Sequence, residues 1–187
     1  MTKSDLRKHY KLKRQSLSKE EFLHRSTLVF SELQNLISTL HPKCIHAYVG
    51  IEKFRELNPQ NFFQAWQESD IQVLIPRSNF EDCSMETVLW TPELTMACNS
   101  YGITEPVGGT LVSPKEIDLI LVPLLAHDKD RNRLGYGKGF YDRFLQELKP
   151  SCLKLGLSVF PPELQTIPGL QDHDFPLDKI IYPDLNG

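Results

Sequence analysis

Ile117-Asp-Leu-Ile-Leu-Val-Pro-Leu-Leu125 is an almost continuously apolar stretch. A strand with one wet face alternates apolar and polar residues, whereas a strand covered on both faces has no reason to. Ile117–Leu125 therefore predicts a strand with helices packed on either side of its sheet. Working towards the N-terminus, Thr87–Trp90 and Ile71–Ile75 read as short strands, the second ended by Pro76. Before them, Asn58 and Pro59 have the form of a helix N-cap and first helical residue, opening a helix over Gln60–Gln67. Cys44–Val49 is a further strand. On the other side, a helix from Phe140 to Leu148 precedes strands at Leu153–Val159 and Lys179–Ile181. Strands alternating with helices predict an α/β fold with a mainly parallel sheet.

Two helices open the chain. Lys3, Arg7, Lys11 and Arg14 recur at three- or four-residue spacing and so share one helix face. By pattern alone, that face reads equally well as a solvated basic surface or as a binding surface. Ser18 and Glu21 have the spacing of a capping box. Phe22, Val29, Leu33, Leu36, Ile37 and Leu40 then form an apolar stripe that Pro42 ends.

At 187 residues, with 40% hydrophobic and 24% charged residues, the chain predicts one soluble globular domain spanning 1–187. No apolar run approaches the roughly 20 residues of a membrane span. The basic N-terminus lacks the apolar core of a secretory signal, so a cytoplasmic protein is expected. The net charge of -3 gives no reason to expect nucleic-acid binding. Cys44, Cys83, Cys98 and Cys152 form no C-x-x-C pair, which points to reduced thiols and away from a disulfide framework or a zinc site. The dipeptides His127-Asp128 and His173-Asp174 lack the further spaced ligands that a metal site of that type needs.

RNRLGYGKGFYDRFL, Arg131 to Leu145, carries three of the chain's ten glycines at alternate positions. Between a buried strand and a helix, such a stretch suits a phosphate. Glycines let backbone N–H groups approach an anion, and the helix start adds partial positive charge. Lys138 would supply a point charge, Arg133 a forked donor and Asp142 a carboxylate for magnesium. A dinucleotide fingerprint is excluded because Phe140 stands at the third glycine position. A P-loop is excluded because Gly139 follows Lys138. A tight structural turn would also use alternating glycines.

The string Arg133-Leu-Gly-Tyr-Gly-Lys-Gly-Phe-Tyr-Asp142 resembles the nucleotide-binding signature of the 5-formyltetrahydrofolate cyclo-ligases. Lys3-Ser-Asp-Leu-Arg7 is similar to that family's N-terminal basic motif, and the segment from Tyr48 to Leu57 to its folate-binding segment. Ile75-Pro76-Arg77, Tyr101–Pro106 and the run from His173 to Ile181 match further landmarks. The resemblance implies a three-layer α/β/α fold of the NagB/RpiA/CoA-transferase kind and ATP-dependent closure of 5-formyltetrahydrofolate to 5,10-methenyltetrahydrofolate. It implies an ATP site of Lys3, Arg7 and Arg133 to Tyr141, comprising Arg133, Leu134, Gly135, Tyr136, Gly137, Lys138, Gly139, Phe140 and Tyr141. Lys138 and Arg133 would be catalytic. Val49 and Glu56, with Tyr136 to Phe140, would hold the reduced folate, and Asp142 and Asp178 would hold magnesium. A monomer acting on small molecules alone is expected.

Lys11 and Arg14 lie outside the matched motif and are assigned to the solvated face. The chain departs from the family pattern at Pro59, usually threonine, at His127, usually phenylalanine, and at Arg131, usually glycine. A folate- or nucleotide-binding regulatory relative without turnover and a small-molecule kinase are the competing functions.

Overall fold

A computed structural model describes residues 1–171 and 174–185. His173 thus lies outside the described residues. The chain forms two compact units. The first comprises Met1–His41, Pro123–Lys138 and Leu155–Gly187, and the second Pro42–Val122 and Gly139–Lys154.

In the first unit, helix α1 spans Lys3–Ser16. Thr2 caps it in a full capping box with Asp5, whose carboxylate accepts from the Thr2 N–H at 2.9 Å. Helix α2, Lys19–Leu40, is capped by Ser18, which accepts from the Glu21 N–H. Ser26, Val29, Leu33 and Ile37 form its buried face, while Leu40 at the end of the expected stripe is exposed. His41 takes the left-handed closing position that glycine usually fills. The short strands β7 (Ala126–His127) and β8 (Arg133–Leu134) form a hairpin. Strand β9 spans Leu153–Leu157, and its residues from Leu155 pair in parallel with β10, Lys179–Ile181.

The second unit is built on β1 (Cys44–His46), which pairs in parallel with β2 (Gln72–Asn79) on one side and with β6 (Leu119–Pro123) on the other. Strand β3, Ser84–Leu89, runs antiparallel to β2. Leu119 to Val122 are all buried, as expected of a strand without polar alternation. Helix α3, Phe63–Glu68, follows a 3₁₀ turn over Pro59–Phe62 capped by Asn58. Both pairings of β1 are parallel, as is that of β9 with β10, and the α/β class is the expected one.

Two expectations need correction, and one hairpin was not foreseen. Pro76 does not end β2, which runs on to Asn79 with Pro76 opposite Thr87 of β3. A second hairpin, β4 (Met96–Cys98) with β5 (Thr104–Pro106), lies in a region without strong alternation. Helix α4 spans only Phe140–Phe144, because Gln146 and Glu147 donate to Arg143 and Phe144, tightening the chain to i→i+3 turns. The four cysteines are free thiols, and among the described residues no helix is long and apolar enough to cross a membrane.

Candidate active site

The buried strand does not lead straight into the glycines. The β7–β8 hairpin intervenes, and Asp128 organises its turn. One Asp128 oxygen accepts from the N–H groups of Asp130 and Asn132, each at 3.0 Å. The other accepts from the Asn132 side chain and the Ile167 N–H, also at 3.0 Å. Both nitrogens of buried His127 face carbonyl oxygens, of Asp128 at 3.3 Å and of Phe160 at 3.2 Å. That environment turns His127 away from metal chemistry, and burial lowers its pKa.

Arg131 adopts φ +67°, in the left-handed region that favours glycine. Two long-range bonds accompany this conformation. Its guanidinium donates to the Asp178 carbonyl at 3.1 Å, and its own carbonyl accepts from the Leu177 N–H at 3.0 Å. The Arg131 guanidinium and carbonyl together tie the hairpin to the segment carrying Asp178. Arg133 also holds this segment, donating to the Phe175 carbonyl at 3.0 Å. Lys3 pairs with Asp174 at 2.7 Å. Lys3, Arg133 and Asp178 are thus gathered in the first unit, although neither cation is held in reserve for a phosphate alone.

The glycines follow the hairpin. Leu134 is buried, Gly135 and Tyr136 are half-buried, and Gly137 and Lys138 are exposed. Gly137 has φ +88°, and a Cβ there would stand 2.8 Å from Arg7 Cζ. The Arg7 Nε donates to the Gly135 carbonyl at 3.0 Å. Gly135 differs: its φ is not positive, and nothing lies within 4 Å of a built Cβ. The surrounding protein does not require glycine at position 135.

The basic face of α1 reaches beyond Arg7. Arg14, assigned by sequence to the solvated face, is 3% exposed and donates to the Tyr136 hydroxyl at 2.6 Å and the Leu124 carbonyl at 3.4 Å. The Lys11 ammonium stands 5.3 Å from the centre of the Tyr136 ring. Sequence reading missed both because their partner lies more than a hundred residues away. The shared helical face was the signal available.

In the second unit, Gly139 (φ +76°) precedes α4. The Phe140 ring meets Phe80 edge-on at 5.1 Å, and Phe80 stacks on Tyr101 at 3.9 Å. Tyr141 and Asp142 are half-buried on α4. Phe144 packs at 5.1 Å from the ring of His46, a fully buried residue of β1. Burial pushes the His46 pKa down to about 3, so the ring is neutral at ordinary pH.

Glu56 is buried at the end of a segment that includes a 3₁₀ turn, Glu52–Phe54, and a left-handed Arg55. One Glu56 oxygen accepts from the Ile51 N–H at 2.8 Å, closing the segment on itself. Gly50 N–H donates to Asn58 at 3.0 Å, and Val49 is half-buried. Lys53 donates to the Tyr101 carbonyl at 2.9 Å, and Glu105 accepts from the Ser78 N–H at 2.8 Å. The Glu56, Tyr101 and Ile75–Arg77 landmarks thereby converge within one unit. Among the described residues, no group of three or more His, Cys, Asp or Glu side chains forms a metal cage.

A model of the 5-formyltetrahydrofolate cyclo-ligase family matches residues 1–183. The chain is 29% identical over 195 residues to the 5-formyltetrahydrofolate cyclo-ligase of Mus musculus, an alignment spanning 97% of this chain and 94% of the mouse protein. It is 31% identical over 151 residues to the protein of that name from Haemophilus influenzae, covering 79% of each. Among solved structures, the NMR structure of Aquifex aeolicus 5,10-methenyltetrahydrofolate synthetase superposes with a TM-score of 0.75 at 30% identity. That likeness covers 97% of this chain and 89% of the other. The hairpin, the glycine turn and the Glu56 segment all fall inside the matched region, and the chain belongs to the 5-formyltetrahydrofolate cyclo-ligase family.

Proposed function

We propose that this chain is an ATP-dependent ligase that closes 5-formyltetrahydrofolate to 5,10-methenyltetrahydrofolate, releasing ADP and phosphate. The observation that carries this reading is the family match over residues 1–183, within which the Arg133–Asp142 string is intact. The formyl group is an amide, and its oxygen leaves poorly. Transfer of the γ-phosphoryl group of ATP to that oxygen makes it a leaving group. The neighbouring side-arm nitrogen then attacks the formyl carbon, the ring closes and phosphate departs.

Phosphoryl transfer depends chiefly on positioning and charge stabilisation. Lys138, exposed at the turn, neutralises charge on the transferring group, and Arg133 offers forked donors. Lys3 and Arg7 bind phosphate from α1, with Asp174 exchanged for the incoming anion at Lys3. The space at Gly135 supports a close approach of ligand to backbone. Leu134, Gly135, Tyr136, Gly137, Gly139, Phe140 and Tyr141 complete the nucleotide-binding string. Glu56 and Val49 bind the reduced folate. Asp142 and Asp178 are each a hard oxygen donor of the kind that suits magnesium retaining water and phosphate oxygens as ligands. Magnesium held by these carboxylates would neutralise phosphate charge. On this reading the chain is a single-domain cytoplasmic monomer acting on small molecules alone.

The test is purified protein with ATP, magnesium and 5-formyltetrahydrofolate, following the methenyl chromophore and ADP together. Equal yields of both are expected. Folate binding without ADP release would instead support a regulatory binding protein, and a stable phosphorylated product would support a kinase.

A further inference from the structure

We propose that Arg14 is a positioning residue for the phosphate loop, acting through the hydroxyl of Tyr136. The inference rests on the nucleotide-binding reading of that loop and extends it to a residue outside the motif. A guanidinium stays charged at any ordinary pH, and removing it from water is costly unless its donors are well paired. Arg14 is nevertheless 3% exposed. Its 2.6 Å bond to Tyr136 is charge-assisted and short, and the 3.4 Å contact with the Leu124 carbonyl anchors the same head group to the chain just beyond β6. An apolar side chain would fill this position at lower desolvation cost, so its polar contacts must account for the arginine.

These contacts belong to a ladder. Arg7, Lys11 and Arg14 lie one helical turn apart on α1 and all meet one tripeptide, Gly135 to Gly137. Arg7 donates to the Gly135 carbonyl and lies against Gly137, Lys11 stands over the Tyr136 ring and Arg14 holds its hydroxyl. The backbone entering Lys138 is therefore fixed from α1. A loop that must place N–H groups and a lysine on a phosphate gains most when its shape is set before the phosphate arrives.

The test is a double-mutant cycle on the full-length protein, using Arg14→Met, Tyr136→Phe and their combination, with ADP affinity measured by calorimetry and the KM for ATP alongside. Each single change should weaken ADP binding roughly tenfold, the scale of losing one charge-assisted hydrogen bond. The double variant should lose no more than either single, and Arg14→Lys should recover part of the loss. Losses that multiply in the double variant, or single variants within twofold of wild type, would overturn the proposal. Should Arg14→Met fail to fold, Tyr136→Phe decides alone, since it removes one oxygen and keeps the ring. ADP binding needs no folate, so a protein that binds ADP yet never closes the folate ring would sink the ligase reading and leave this test standing.

Discussion

The guanidinium of Arg7 lies directly against Gly137, where a Cβ would stand 2.8 Å from Arg7 Cζ and 3.0 Å from its Nε. The same Nε donates to the Gly135 carbonyl, so Arg7 cannot withdraw without releasing the turn. Gly137→Ala combines this displacement with a left-handed φ that costs an L-residue about 1–2 kcal/mol. It should lower both stability and kcat/KM for ATP. Gly135→Ala meets no protein atom and should leave the urea midpoint unchanged. Its ADP affinity should nevertheless fall, because ligand approaches the space the methyl would take. Unchanged ADP affinity in Gly135→Ala would argue against phosphate at this turn.

The contrast between these glycines shows what a sequence can and cannot say. Strand β6 was legible because four buried residues in a row need no tertiary information, and α2 was legible from its cap and stripe. The full length of β2 was not, since Pro76 reads as a stop and only pairing with β3 shows the strand continuing. Helix α4 looked longer because Leu145 and Leu148 sit at helical spacing and are buried, although the chain between them makes i→i+3 turns. At the site, the residue types of the loop were legible from the family string. The burial of Arg14 was not, because it depends on a tyrosine 122 positions away.

Arg131 combines a conformational cost with a specific contact. Arg131→Gly relieves the left-handed backbone but loses the bond to the Asp178 carbonyl and adds unfolded-state entropy. These effects oppose one another, and stability should stay within about 1 kcal/mol of wild type. Arg131→Ala keeps the strain and loses the bond, so it should be the less stable of the two by about 1 kcal/mol in urea unfolding. An alanine variant more stable than the glycine variant would contradict this account of the turn.

His46 sets a pH dependence. Its folded pKa is held near 3 by burial, whereas an unfolded histidine takes up its proton near 6.5. Below about 6.5 the unfolded chain therefore binds more protons, and the stability present above that pH is lost at about 1.4 kcal/mol per unit as pH falls. His46→Leu removes this dependence. Between pH 7 and 5, wild type should lose roughly 2 kcal/mol more than the variant. Neither ring nitrogen has a hydrogen-bond partner among the described residues, so at pH 7 the leucine variant should be at least as stable. Identical pH profiles for the two proteins would show that His46 titrates freely in the fold.

The most direct measurement of the central claim is the rate of methenyl chromophore formation by Lys138→Ala at saturating ATP, magnesium and 5-formyltetrahydrofolate. Lys138 is exposed on the turn that Arg7 and Arg14 hold in place, and removing it should leave the fold intact. Loss of one charge-stabilising donor at a phosphoryl-transfer centre predicts a kcat lower by roughly 10²–10³. A kcat near wild type, with the protein folded and both substrates bound, would contradict the claim that this glycine turn carries the phosphoryl transfer.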